Sequence, residues 1–147
     1  MLDVRLLPEP FDPLIEVNHL TGQTPDAGGI ATFIGKVRAG GVEALELSHY
    51  EPMTLPGMRE LANKAVHRFD LMGLTVLHRT GLLHKHEPIV CVAAAARHRR
   101  DAIEAIDYCM DHLKSAAWFW KRELRDGEWH WIEPRTEDHA DLARWSD

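Results

Sequence analysis

Two lysines and one run of cations have the clearest chemical potential in this chain. Lys114 and Lys121 follow a stretch in which Ile103, Ile106, Met110, Leu113 and Ala117 recur at helical spacing. At about 100° per residue, Lys114 falls about 20° from Ile103, and Lys121, if the helix continues, falls at about 0°. Both would then lie on one side, beside buried surface. Desolvation and a neighbouring cation each lower a lysine's pKa, which turns an amine into a nucleophile or a base. The competing reading is a helix-end lysine favoured by the dipole, its stem lying along apolar surface. Arg97-His98-Arg99-Arg100 joins an apolar run to a helix start, where backbone N–H groups and cationic side chains can hold a phosphate. A solvated loop has the same letters. Lys36 and Arg38 share one face of an alternating segment and would add positive charge from a second element.

Other chemistries have less support. His84 and His86 lack a third ligand at a recognisable spacing, so no metal is expected. Cys109 in the helical pattern and Cys91 in an apolar run read as buried small hydrophobes, not nucleophiles. No glycine-rich phosphate loop or G-x-S-x-G elbow is present, and no cofactor is implied. Trp118, Phe119, Trp120, Trp129 and Trp131 form an aromatic cluster read as core by default, with a stacking surface or a partner interface as alternatives.

These candidates sit in an acidic chain of 147 residues with a formal net charge of −6. Between Arg97 and Arg125 seven bases face five acids, so that segment is +2 and the remainder −8. A local basic patch on an acidic protein suits a small anion better than a long polyanion. The overall sign argues against a general nucleic-acid binder. No run approaches the ~20 apolar residues of a membrane helix, and MLDVRLLPEP lacks a signal peptide's apolar stretch and cleavage site. Two cysteines cannot build a disulfide framework. A cytoplasmic protein is expected, with no membrane and no nucleic-acid partner.

The elements that must position these residues follow from periodicity. A short strand is predicted near Asp3–Leu7, then a brief helix near Pro13–His19 and a loop. IATFIGKVR and VEALELSHY, joined by Ala39-Gly40-Gly41, predict a β-hairpin. Pro52 to Pro56 breaks the strand pattern, and a helix follows through Met58, Leu61, Ala62, Ala65, Val66 and Phe69. LTVLHRTG predicts a strand, LLHKHEP a polar turn, and PIVCVAAAA a strand buried on both faces. Asp101 is the expected N-cap of the second long helix. Asp126-Gly127 turns the chain into a last strand, EWHWIEP. The order β-α-β-β-α-β favours an α+β fold with a mostly antiparallel sheet packed on two main helices.

TFIGKVR after a double glycine, LSHYEPM, ARHRRDAIEAIDYCMDHLK and FWKRE resemble, in order from about Gly28 to Glu133, the catalytic (large) subunit of molybdopterin synthase. The resemblance implies an α/β hammerhead-like fold with a small additional β subdomain. It also implies one domain over 1–147, with 1–27 divergent and 28–135 carrying the motifs. It implies a sulfurtransferase that converts cyclic pyranopterin monophosphate into molybdopterin by installing a dithiolene. The sulfur would come from a small ubiquitin-like carrier subunit ending in a Gly-Gly thiocarboxylate, with two large subunits as the central homodimer of a heterotetramer. By motif, Lys114 and Lys121 are the key active-site lysines. Arg38, His98 and Arg99 would hold the substrate through its phosphate and pterin, His98 and Arg99 in cis or across the dimer. Lys36, Val37, Arg122 and Glu123 fall in the same substrate-binding stretches. Trp118 stands where the family commonly has proline, and the 39–41 turn is short for the family. The alternatives are a non-catalytic module binding a small phosphorylated ligand, and a nucleic-acid module reading through Arg97–Arg100.

Overall fold

The computed structural model of the chain describes residues 1–115, 118–133 and 136–146. The elements run β1 (Leu2–Leu7), α1 (Pro13–Gln23), β2 (Gly29–Lys36), β3 (Ala44–His49), α2 (Glu51–Arg68), β4 (Leu71–Arg79), β5 (Gly81–His84), β6 (Pro88–Ala96), α3 (Arg99–Ser115), β7 (Phe119–Arg125), β8 (Glu128–Ile132) and α4 (Thr136–Ala143). They form two four-stranded sheets, β1-β4-β6-β2 and β5-β3-β7-β8, in which only the β1–β4 pair is parallel. The α+β architecture, mostly antiparallel with a second sheet, is the one the sequence implied.

The apolar run PIVCVAAAA is an interior strand, paired with β4 on one side and β2 on the other. Val90, Val92, Ala94 and Ala96 face a core built with α2 and α3. Ala93 and Ala95 face the other way, against Leu20 of α1. Strands covered by helices on both faces read as continuous apolar runs, and this one does. α1 extends to Gln23, beyond the predicted His19, because Leu20 is fully buried under this second face.

Several expectations need correction. β2 and β3 are not a hairpin: β2 pairs along its length with β6, and β3 lies in the other sheet between β5 and β7. The Ala39-Gly40-Gly41 segment instead carries the chain from sheet to sheet, with Gly41 at φ +78°. α2 starts at Glu51, ahead of both prolines. Pro52 lies in the first turn, where its missing N–H has no partner to lose, and Pro56 is exposed, where a freed carbonyl can be hydrated. LLHKHEP is not all turn, because Gly81–His84 forms β5 against β3. Asp101 lies inside the first turn of α3 and is not its cap. The buried stripe of α3 is Ala102, Ala105, Tyr108, Cys109 and Leu113, while Ile103 is 58% exposed. Ala117, assigned to the stripe from sequence, lies outside the described residues.

The aromatic cluster divides. Trp118 and Phe119 pack against the main core. Trp120, Trp129 and Trp131 lie on an outer face of the second sheet and are not core, being 50%, 37% and 64% exposed. α4 was not foreseen. Behind it, Trp145 stacks edge-on against Phe69 and Tyr108, and Arg144 pairs with Asp107 and Asp111.

Trp118 sets a tight contact with α2. Its carbonyl accepts from Thr54 Oγ1 at 3.2 Å and from the Tyr50 N–H at 3.4 Å. A Cβ on Gly57 would lie 2.6 Å from three atoms of its indole. Glycine to alanine inside a helix ordinarily stabilises by up to about 1 kcal/mol. Here the sign should reverse: Gly57→Ala is expected to destabilise by about 1–3 kcal/mol through overpacking, read as a lower urea midpoint with altered tryptophan emission.

Candidate functional site

A cleft of about 540 Å³ opens where the two sheets and the end of α3 meet. Its lining comes from many elements, β6 among them through Ile89 and Val90. The end of β2 and the residues after it supply Lys36, Val37 and Arg38; β3 supplies Leu45 and Leu47; β4 supplies His78. α3 supplies Leu113 and Lys114, β7 supplies Phe119, Lys121 and Glu123, and the C-terminal part adds Ile132, Glu133 and Asp138.

Lys114 and Lys121 therefore meet, but not on one helix face as the sequence suggested. α3 ends at Ser115, and Lys121 belongs to β7. Lys121 pairs with Leu47 and Ile132, on the face of the second sheet that also carries Leu45, Leu83 and Glu123. Strand alternation thus places the lysine on the mostly apolar, half-buried side. Alternation also sends Arg122 to the opposite face. There its Nε bonds Glu46 at 2.8 Å and its guanidinium lies 4.4 Å from the Trp129 ring centroid. The structure does not bring Arg122 into the cleft.

His98 and Arg99 are elsewhere too. With Gly28, Arg97 and Arg100 they line a separate depression at the start of α3. All four basic side chains there are exposed. Gly28 is required at this place: a Cβ would sit 2.1 Å from the Arg97 carbonyl oxygen. The depression and the cleft lie at opposite ends of α3. At 1.5 Å per residue, Arg99 and Lys114 are separated by about 22 Å along the helix.

The cleft is cationic without being uniformly so. Four cations (Lys36, Arg38, Lys114 and Lys121) face Glu123, Glu133 and Asp138. Glu123 is itself paired with Arg125 at 2.9 Å, which offsets its charge. His78 went unremarked in the sequence. Its ring is buried, stacks on Phe119 at 3.9 Å and 15°, and has Nδ1 2.8 Å from the Arg79 carbonyl. Burial lowers its pKa to about 4; the hydrogen bond to Arg79 opposes this, and the charges of Lys114 and His49 add to it. The imidazole is neutral near pH 7. The available signal was His78-Arg79 closing an otherwise apolar strand. Arg79 is 2% exposed, and its guanidinium donates to the carbonyls of Leu7, Pro8 and Leu82.

Neither thiol is placed for chemistry. Cys91 and Cys109 are buried, and burial pushes them up to about 11 and about 12. Among the described residues no group of three or more His, Cys, Asp or Glu side chains could hold a metal ion. None of the helices there is long and apolar enough to cross a membrane.

Residues 7–116 match the sequence model of a family described as MoaE protein. A molybdopterin synthase catalytic subunit from Caulobacter vibrioides is 44% identical over 144 residues, covering 97% of this chain and 96% of that protein. The solved molybdopterin biosynthesis MoaE protein of Burkholderia ambifaria superposes with a TM-score of 0.84 at 38% identity, covering 99% and 98% of the two chains. A Helicobacter pylori structure, titled as a complex of subunits 1 and 2 of molybdopterin-converting factor, has a TM-score of 0.77 at 17% identity, covering 90% and 92%; it bears on the fold alone.

Two measurements test this electrostatic description. Native Cys91 and Cys109 should react with a disulfide reagent at pH 8 far more slowly than in urea, because little thiolate exists well below pKa values of about 11 and about 12. For His78 the folded pKa is depressed, so the unfolded chain binds the proton first as pH falls. Its contribution to stability is full above about 6.5 and is lost as pH drops towards about 4. His78→Gln should flatten the unfolding midpoint across that window relative to wild type.

Proposed function

The chain belongs to the MoaE protein family, and from that premise we propose that it transfers sulfur from the C-terminal thiocarboxylate of a small ubiquitin-like carrier subunit to cyclic pyranopterin monophosphate. The product is the dithiolene of molybdopterin, and the protein is the catalytic subunit of molybdopterin synthase. The observation that carries the reading is the meeting of Lys114 and Lys121, from different elements, in one cleft with Lys36 and Arg38.

The chemistry needs a cationic pocket with no competing nucleophile. Both reacting partners are anionic, one a thiocarboxylate and the other a phosphate ester. Both thiols of the chain are buried and protonated, so the sulfur that reacts is the carrier's. Lys114 assists transfer near the thiocarboxylate, as a general acid/base or by orienting the tail. Lys121, on the half-buried sheet face, stabilises developing negative charge where water screens it least. Lys36 and Arg38 hold the anionic end of the precursor, Val37 forms an apolar wall beside them, and Glu123 keeps Arg125 turned to itself. The two unpaired cysteines suit a reducing cytoplasm.

His98 and Arg99 contribute from a second copy of the chain. They lie about 22 Å from Lys114 along α3, too far for one small substrate to touch both within a protomer. A central homodimer, with a carrier at each end, lets the depression of one protomer complete the cleft of the other.

The decisive assay mixes the protein with thiocarboxylated carrier and precursor, and detects the fluorescent oxidised derivative of molybdopterin. Lys114→Ala should lower turnover by about 100-fold or more while gel filtration shows the complex intact; undiminished turnover would remove Lys114 from the mechanism. Two inactive variants, Lys114→Ala and Arg99→Ala, should regain activity when co-refolded. A mixed dimer then holds one cleft with both wild-type residues, but only if Arg99 acts in trans. Binding of the precursor without any product, in an assembled complex, would favour a non-catalytic phosphate-binding module.

A further inference from the structure

His78 has a place in the cleft that packing alone does not explain. It stands on β4 with its ring stacked on Phe119 in the wall, while its neighbour Arg79 is clamped to three carbonyls. The ring plane is set by Phe119, 3.9 Å away. Its Nδ1 lies 2.8 Å from the Arg79 carbonyl oxygen, so Nδ1 carries the proton and donates. Nε2 is then the unprotonated ring nitrogen and presents a lone pair, on a side chain that lines the cleft. Ring stack, backbone bond and clamped neighbour together fix the direction of that lone pair. Lys114 lines the same cleft and is near enough for its charge to act on the imidazole.

We propose that His78 is a positioning residue for the reaction assigned above: its Nε2 accepts a hydrogen bond from the Lys114 amine and aims that amine into the cleft. An uncharged acceptor suits this place better than a carboxylate. The cleft must admit two anions, and an acid beside Lys114 would orient the ammonium but cancel the charge those anions need. The titratable and charged groups that line the cleft with Lys114 are Lys36, Arg38, His78, Lys121, Glu123, Glu133 and Asp138, and His49 is near enough for its charge to act on the imidazole. Of the acids, Glu123 is already paired with Arg125. The role rests on the sulfur-transfer reading, but the contact between His78 and Lys114 can be measured without it.

Two isosteric variants separate positioning from packing. Asparagine puts its amide where Nδ1 was, keeping the bond to the Arg79 carbonyl and losing the cleft acceptor. Glutamine puts its amide where Nε2 was. The first readout is the pH profile of Lys114 labelling by an amine acylating reagent, resolved by peptide mass spectrometry on the chain without carrier or precursor. Loss of the acceptor disfavours the ammonium, so His78→Asn should label Lys114 faster than wild type at neutral pH, with Lys64 as an exposed internal reference. His78→Gln should restore the wild-type profile. The second readout is steady-state turnover, where His78→Asn should lower kcat by about 10- to 100-fold with the precursor KM little changed, and His78→Gln should retain most of kcat. Unchanged Lys114 labelling in both folded variants would overturn the proposal. So would the reverse order, with asparagine tolerated and glutamine not, since that is the pattern of a purely structural histidine. If labelling shifts as described but the wild-type chain makes no product, the contact stands and the sulfur-transfer reading is what fails.

Discussion

β6 has no face left for solvent, and the positions of the residues that line the cleft follow from that. Its valines and alanines alternate between the core under α2 and α3 and the contact with Leu20 of α1. A nine-residue strand buried on both sides must be covered along its length. α3 does most of that on one side, starting just past the strand's end and running back over it. At 1.5 Å per residue, its 17 residues span about 25 Å, close to the length of the strand beneath. The strand begins at Pro88, paired to Lys36, and ends at Ala96, paired to Gly29. A helix that returns along it must therefore deliver Lys114 to the end where Lys36 lies. The cleft is a consequence of covering an alanine strand with a helix of matching length.

The same packing governs the charge. Small buried side chains leave the two thiols inside, where they stay protonated, and bring His78 into a wall too dry to charge. Cations then enter the cleft from the end of β2 and the residues after it, from the end of α3 and from β7. The net charge of −6 says nothing of this locality. An acidic surface and a cationic cleft coexist because the cleft draws single residues from distant segments.

Legibility in the sequence followed how local each feature is. The doubly buried strand, the inert cysteines and the Asp126-Gly127 turn are written in consecutive letters, and each stands as read. Lys114 and Lys121 were singled out, yet the shared helix face that suggested them does not exist, since Lys121 is on β7. What joins them is strand register, Lys121 opposite Leu47 and Ile132, which no periodicity contains. The hairpin between β2 and β3 failed for the same reason: both strands alternate, but each found its partner in a different sheet. Ile103 misled because the buried stripe of α3 runs through Ala102, Ala105, Tyr108, Cys109 and Leu113, whose alanines an apolar-periodicity count weights too lightly. The place of His78 in an apolar strand announces burial alone, and only the third dimension puts it in one cleft with Lys114.

The geometry that gathers the lysines also separates the other cations. Because α3 starts where β6 ends, the Arg97–Arg100 depression must lie at the end of the strand away from the cleft. About 22 Å of helix divides the two. No flexing of exposed arginine side chains closes that gap, since an extended side chain reaches a fraction of it. A ligand gripped by both must either be that long or meet the two sites on different molecules. For a small ligand that meets both sites, only the second arrangement is open.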